Sequence, residues 1–193
     1  TNYSATFSAR GNLSEAVQYD VQHPTDANYA KHVQRQGYNS LGAVIFSADA
    51  DWHRSNISYT DAFSDGLNHN TFAYPTTITD PDTFSSTAQY NFDFGAITRM
   101  QTPAPLGQTQ GLIQTWTYDT VGRVNQITTT NNNAHVRFVY PATAVSVETY
   151  TTINDATEQA SDNYLDGAGR VRAIAADLPG STGGYVGQII GYD

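Results

Sequence analysis

The chain contains no cysteine. That excludes disulfides, thiolate metal sites and cysteine nucleophiles. Lysine occurs once, at Lys31, and the nine basic residues are scattered among 18 acids, for a formal charge of −9. Phosphate recognition needs clustered Lys and Arg, so nucleic acid is not an expected partner. Charged residues make up only 14% of the sequence, against roughly 25% in soluble domains at large. No segment approaches the roughly 18 consecutive apolar residues of a membrane span. Helical periodicity is also scarce. Only Ser14-Glu15-Ala16-Val17 and Thr157-Glu158-Gln159-Ala160 look able to form a helical turn, and no window sustains the i, i+3, i+4, i+7 pattern.

The residues present in place of these are aromatic and hydroxylic. Thirteen Tyr and eight Phe, with many Thr and Asn, make a strand-forming composition. Alternation of period two recurs along the chain. Tyr3, Ala5 and Phe7 share a face; Trp116 and Tyr118 alternate with Thr115 and Thr117; Val136, Phe138 and Tyr140 alternate with His135, Arg137 and Val139. Such patterns predict antiparallel strands with one drier face. Tyr74-Pro75, Asp80-Pro81, Pro103-Ala104-Pro105, Tyr140-Pro141 and Leu178-Pro179-Gly180 mark strand ends or loops. Asn131-Asn132-Asn133 is a turn, Ser181-Thr182-Gly183-Gly184 a flexible loop, and Asp61 to Asn70 a polar surface excursion. The 193 residues suit a single domain with room for a sizeable core, and no internal boundary is visible.

One heptapeptide organises the rest: Tyr118-Asp119-Thr120-Val121-Gly122-Arg123-Val124. Imperfect copies lie at Phe7-Ser8-Ala9-Arg10-Gly11-Asn12-Leu13, at Tyr38-Asn39-Ser40-Leu41-Gly42-Ala43-Val44 and at Leu165-Asp166-Gly167-Ala168-Gly169-Arg170-Val171. A looser copy at Tyr90-Asn91-Phe92-Asp93-Phe94-Gly95-Ala96-Ile97 has one extra residue, and Tyr192-Asp193 opens another copy. Each copy reads as strand, tight turn, strand. The Asp or Asn side chain takes backbone N–H groups two residues on, and the Gly occupies a position of positive φ. Isolated hairpins are marginal in water, so recurrence implies stacking. The turn glycines at 11, 42, 95, 122 and 169 are separated by 31, 53, 27 and 47 residues. The repeat is therefore irregular, with room for extra strands or loops.

These copies resemble the tyrosine-aspartate repeats of the bacterial RHS/YD-repeat family. Tyr118 to Val124 matches the family turn in full and Asp166 to Val171 nearly so; Tyr38 to Val44 and Phe7 to Leu13 are degenerate. The resemblance implies an all-β spiral of antiparallel hairpins, stacked like a solenoid, that serves as the wall of a hollow shell in larger members. The chain has no recognisable self-cleavage segment or toxin tip. The structural turn residues expected to define the repeat are Tyr38, Gly42, Tyr118, Asp119, Gly122, Arg123, Asp166, Gly169, Arg170, Tyr192 and Asp193.

Candidate chemistry is thin. The 18 acids, 15 of them Asp, fall mostly in predicted turns, where capping explains them better than a glycosidase pair does. Asp49-Ala50-Asp51 and Asp80-Pro81-Asp82 make calcium the one cofactor to consider, although the spacing of a twelve-residue calcium loop is absent. His23, His32, His53, His69 and His135 show no ligand spacing. No nucleophile elbow or phosphate loop occurs. Arg123 and Arg170 are expected to pair with an Asp or to stack on a Tyr.

The sequence thus predicts one segment, residues 1–193, of a non-enzymatic extracellular or cell-surface protein. It forms shell wall or stacks head-to-tail into a filament or tube. Its partners are further repeats of the same chain, or identical copies, meeting through open sheet edges. Thr1-Asn2-Tyr3-Ser4 lacks the features of a signal peptide, and the ending on Tyr192-Asp193 suggests a piece of a longer chain. The competing function is an adhesin or carbohydrate-binding module that uses exposed Tyr and Trp, with Trp52 and Trp116 foremost.

Overall fold

The computed structural model describes residues 11–19, 22–23, 25–26, 28, 30–154, 157–178 and 183–192. The Tyr3–Phe7 alternation, the first half of the copy at Phe7, Pro179 to Thr182 and Asp193 lie outside them. Fourteen strands follow one another: β1 (Glu15–Tyr19), β2 (Ala30–Tyr38), β3 (Val44–Ala48), β4 (Arg54–Ser58), β5 (Thr77–Thr79), β6 (Ser85–Tyr90), β7 (Ile97–Gln101), β8 (Ile113–Tyr118), β9 (Val124–Thr129), β10 (His135–Val139), β11 (Ser146–Asn154), β12 (Thr157–Leu165), β13 (Val171–Asp177) and β14 (Tyr185–Ile189). Each pairs antiparallel with the next in sequence, giving one open sheet in the order β1 to β14. The all-β hairpin stack predicted from the repeat is therefore the observed fold.

Register explains the alternation. Across the middle of the sheet, Trp116 faces Ile127, which faces Val136. These residues make an apolar rung on one side. One residue along, Thr117, Gln126, Arg137, Tyr150 and Ala160 line up on the other side. Four return strands carry a bulge just after the turn copy: Ile45, Thr98, Asn125 and Arg172 are skipped where the pairing passes Gly37/Tyr38, Gln89/Tyr90, Thr117/Tyr118 and Tyr164/Leu165. The bulge sets Tyr38 opposite Val44, Tyr90 opposite Ile97, Tyr118 opposite Val124 and Leu165 opposite Val171. Bulges bend a strand and re-aim its side chains.

No second layer packs on this sheet among the described residues. The accessible surface is 13318 Å², against roughly 9,000 Å² for a compact protein of this mass. Among the described residues only Ala48, Phe63 and Ile113 are buried hydrophobic side chains, and no large side chain is fully enclosed. The sizeable core expected from length is thus replaced by two half-covered faces, and the aromatics serve as cross-strand ladders.

Two local expectations are corrected. Ser14 to Val17 and Thr157 to Ala160 do not turn into helix; Glu15 begins β1 and Thr157 begins β12. Each lies beside a partner strand that takes its backbone groups. The side chains add ties, with Arg35 Nε donating to Glu15 at 2.9 Å and Arg137 Nη2 to Glu158 at 2.7 Å. The excursion from Asp61 to Asn70 lies mostly exposed, as its polar sequence suggests, except at Phe63. Asp61 accepts from the Thr71 N–H, the Thr71 hydroxyl and the Phe72 N–H at 2.8–2.9 Å, closing the loop. Phe63, 4% exposed, is folded beneath it against His69, Tyr74 and Phe92.

Candidate functional site

The turn copies at Tyr38, Tyr90, Tyr118 and Leu165 fall on one edge of the sheet, because each closes the connection from an even-numbered strand to the next odd one. Gly42, Gly95, Gly122 and Gly169 have φ between 69° and 86°, the left-handed region that a Cβ penalises. In the best copy, Asp119 Oδ1 accepts from the N–H groups of Val121 (3.0 Å) and Arg123 (2.9 Å), while Oδ2 holds Arg123 Nε at 2.7 Å. The copy at 166 repeats this arrangement. Asp166 accepts from Ala168 N and Arg170 N at 2.9 Å and from Arg170 Nε at 2.7 Å. Asn39 caps Leu41 and Ala43 in the same way, at 2.9 Å each. Partial burial works against the Asp119 carboxylate, but the Arg123 and Val121 donors outweigh it and hold its pKa below the usual value. For Asp166 the Arg170 backbone N–H and guanidinium lower the pKa first.

Five tyrosines beside this edge reach the other way. Tyr38 donates its hydroxyl to Leu13 O (2.8 Å), Tyr118 to Ile97 O (2.5 Å), Tyr140 to Val124 O (2.9 Å) and Tyr192 to Val171 O (2.7 Å). In every case the acceptor is the aliphatic residue two positions after a turn glycine, at 11, 95, 122 or 169. Tyr90 makes the related bond to Pro75 O at 2.9 Å. Partial burial raises the pKa of both Tyr118 and Tyr90.

Arginine completes the link. The Arg123 guanidinium lies 4.1 Å from the centre of the Tyr140 ring, and that of Arg170 lies 4.5 Å from the Tyr192 ring. Each turn therefore presents an Asp-held cation that covers the next tyrosine in line, while that tyrosine caps the carbonyl just beyond the arginine. Both contacts anticipated for Arg123 and Arg170 are made by the same side chain. The arrangement joins hairpins.

Several participants carry no visible repeat signature. Tyr140 acts as a motif tyrosine although Pro141 follows it; its one sequence signal is its position at the end of an alternating strand. The opposite edge reuses the capping turn with no glycine. Asp49 Oδ1 accepts from Asp51 N and His53 N at 3.0 and 2.8 Å, and Trp52 takes φ 67° in the glycine's place. Asp80 Oδ1 accepts from Phe84 N at 2.8 Å, with Thr83 at φ 71°. The two acid pairs considered for calcium thus each use a carboxylate to build a turn. Among the described residues no group of three or more His, Asp or Glu is placed to hold a metal. Trp52, 52% exposed, sits edge-on to Phe46 with Arg35 4.7 Å from its ring centre, whereas Trp116 lies half-buried in the apolar rung. His53 pairs with Asp49 at 2.7 Å and His69 with Asp65 at 2.8 Å. No helix among the described residues is long and apolar enough to cross a membrane.

No family model matches the chain and no curated protein matches it. Among solved structures, the crystal structure of TcdB2-TccC3-Cdc42 contains a chain similar to it at 11% identity and a TM-score of 0.47, over 84% of this chain and 10% of that one. The present chain thus spans about a tenth of the length of the structure that it matches.

Proposed function

We propose that this chain is a non-enzymatic structural segment of an extracellular or cell-surface repeat protein of the YD type. It acts as a stretch of wall that further hairpins extend, whether from the same polypeptide or from identical copies. The observation that carries this reading is the tyrosine–carbonyl and arginine–tyrosine chain along one edge. It spends the repeat's polar groups on joining one hairpin to the next. The single-layer sheet supports the same reading, since a wall needs area more than depth. In β14 the outward-facing Tyr185, Gly187 and Ile189 carry no charge, and the strand has neither Pro nor a bulge. Blunting features of that kind normally protect an edge from pairing.

The test is light scattering with negative-stain microscopy of the purified chain. Filaments, tubes or closed shells built from β-rich subunits are expected. A monodisperse 21.0 kDa species that keeps its native strands at high concentration would rule out self-stacking and confine the wall role to a longer polypeptide.

A further inference from the structure

The register sorts charge onto one side of the sheet. From β3 to β14, the side that holds the Trp116–Ile127–Val136 rung has no charged residue at any paired position. Ile57, Met100, Trp116, Ile127, Phe138 and Ile174 lie on it, separated by Ser, Thr, Gln and Asn. The charges of the paired positions all fall on the reverse side, among them Arg54, Arg99, Arg137, Glu148, Asp162 and Asp177. Ionised side chains keep their water. An antiparallel sheet with its charge confined to one face therefore has that face wet and the other packed.

In the single chain the charge-free face has no cover from the described residues. None of its six large apolar side chains is buried, and Met100 and the neighbouring Ile78 are exposed. Depletion of charge, with aromatic, aliphatic and Met side chains set among neutral polar ones, is the composition of a protein–protein contact surface.

Area and shape say what fits. Twelve strands about 4.8 Å apart, each about 17 Å long, give a face of about 850 Å². One partner of a standard-sized interface contributes about 800 Å². The accessible surface of 13318 Å² exceeds that of a compact protein of this mass by about 4,300 Å², enough to supply the contact. The occupant must be broad, twisted to the same hand and itself free of charge, because an unpaired ion held against this face would lose its water without a counter-charge. The same face of a second copy meets all three conditions. We propose that two copies pack these faces together about a two-fold axis, as a sandwich of two sheets about 10 Å apart. The contact is independent of the wall reading, which uses the sheet edges.

The experiment is sedimentation equilibrium of the full 193-residue chain, with circular dichroism to check that strands are kept. A closed two-copy species is expected. Ile189→Lys, which puts a charge on the β14 edge, should leave it intact. Met100→Glu and Ile78→Glu, at exposed positions on the charge-free face, should each raise its dissociation constant at least tenfold, while Asn56→Glu on the charged face should not. Met100→Cys and Asn56→Cys give a readout that does not depend on a tolerated charge, since the chain has no other thiol. A maleimide should label the thiol at 100 at least tenfold more slowly than that at 56 at high protein concentration, and equally fast on dilution. The proposal is overturned if the natively folded chain stays monomeric at high concentration. It is overturned equally if association is lost in Ile189→Lys but kept in Met100→Glu or Ile78→Glu, or if the two thiols react alike at every concentration.

Discussion

Tyr192 donates its hydroxyl to the carbonyl of Val171 at 2.7 Å while the Arg170 guanidinium covers its ring. The contact repeats the one Tyr140 makes with Val124 and Arg123, so a single pair of side-chain types fastens hairpins at two places along one edge. The recurring unit is wider than the heptapeptide. It runs from the glycine of one turn to the tyrosine that returns to it.

That linkage makes Tyr118 the position where the hydroxyl can be tested alone. Tyr118→Phe keeps the ring against Phe94, with which it makes an edge contact at 5.1 Å, and removes only the bond to Ile97. A loss of about 1 kcal/mol is expected from the net worth of one intramolecular hydrogen bond. Urea unfolding measures it, and an unchanged midpoint would show that the carbonyl is equally well served by water.

Opposite backbone substitutions should move stability in opposite directions. Gly122 has φ 82°, so Gly122→Val forces a β-branched residue into the left-handed region and should cost more than about 1 kcal/mol. Thr83 already occupies that region at φ 71°. Thr83→Gly should relieve strain and stabilise by up to about 1 kcal/mol. Thermal melts of the two variants against the parent give both signs in one measurement.

The His135–Glu158–Arg137 cluster predicts a band of maximum stability. Hydrogen bonds from Arg137 first and His135 second pull the Glu158 carboxyl from 4.5 to about 2. The bond to Glu158 first, and that to Asn133 second, raise His135 above 6.5. The groups facing the ring are Glu158 from β12 and Arg137 from its own strand; Thr128 on β9 and Thr152 on β11 do not titrate. A carboxyl lowered on folding contributes above its unfolded value and fades as pH falls toward about 2. An imidazole raised on folding contributes below 6.5 and fades as pH climbs through its folded value. The full contribution therefore lies between about pH 4.5 and 6.5. Glu158→Gln should flatten the pH dependence of the melting temperature on both flanks.

Phe63 is the test of the loop. It is the one buried aromatic among the described residues, 4% exposed, and Phe63→Ala should cost about 3 kcal/mol by the usual scale for deleting a buried ring. Hydrogen exchange should rise across residues 61–74 before it rises in β8 or β9. Uniform loosening of the sheet would show that the loop is no separate unit.

The sequence disclosed several of the strands, their antiparallel hairpin pairing and the glycine turns, because period-two alternation and positive-φ glycines act over a few residues. It could not disclose that Tyr118 reaches back to Ile97, since that bond joins residues 21 apart in sequence on neighbouring strands. Nor could it show the turns at Trp52 and Thr83, where the capping Asp is kept and the glycine is not. Phe63 was hidden for the opposite reason. It sits among Asp, Ser, Gly and Asn, and only the closure of the loop by Asp61 turns it inward. His135 and Glu158 lie 23 residues apart and meet over an intervening strand, a separation that no local pattern encodes.

Every strand in this sheet touches the strands next to it in sequence, and no named strand bridges a distant pair. Hairpins on such a chain are interchangeable parts. One could be lost or duplicated and the flanking strands rejoined without reversing any direction or crossing any connection. The uneven spacing of the glycines is then what a lineage growing by whole hairpins, and tolerating insertions in their loops, would leave behind. Folding shares the same economy: the chain can zip from any hairpin outward, each step closing one connection between sequence neighbours, the longest of them the 18 residues from β4 to β5.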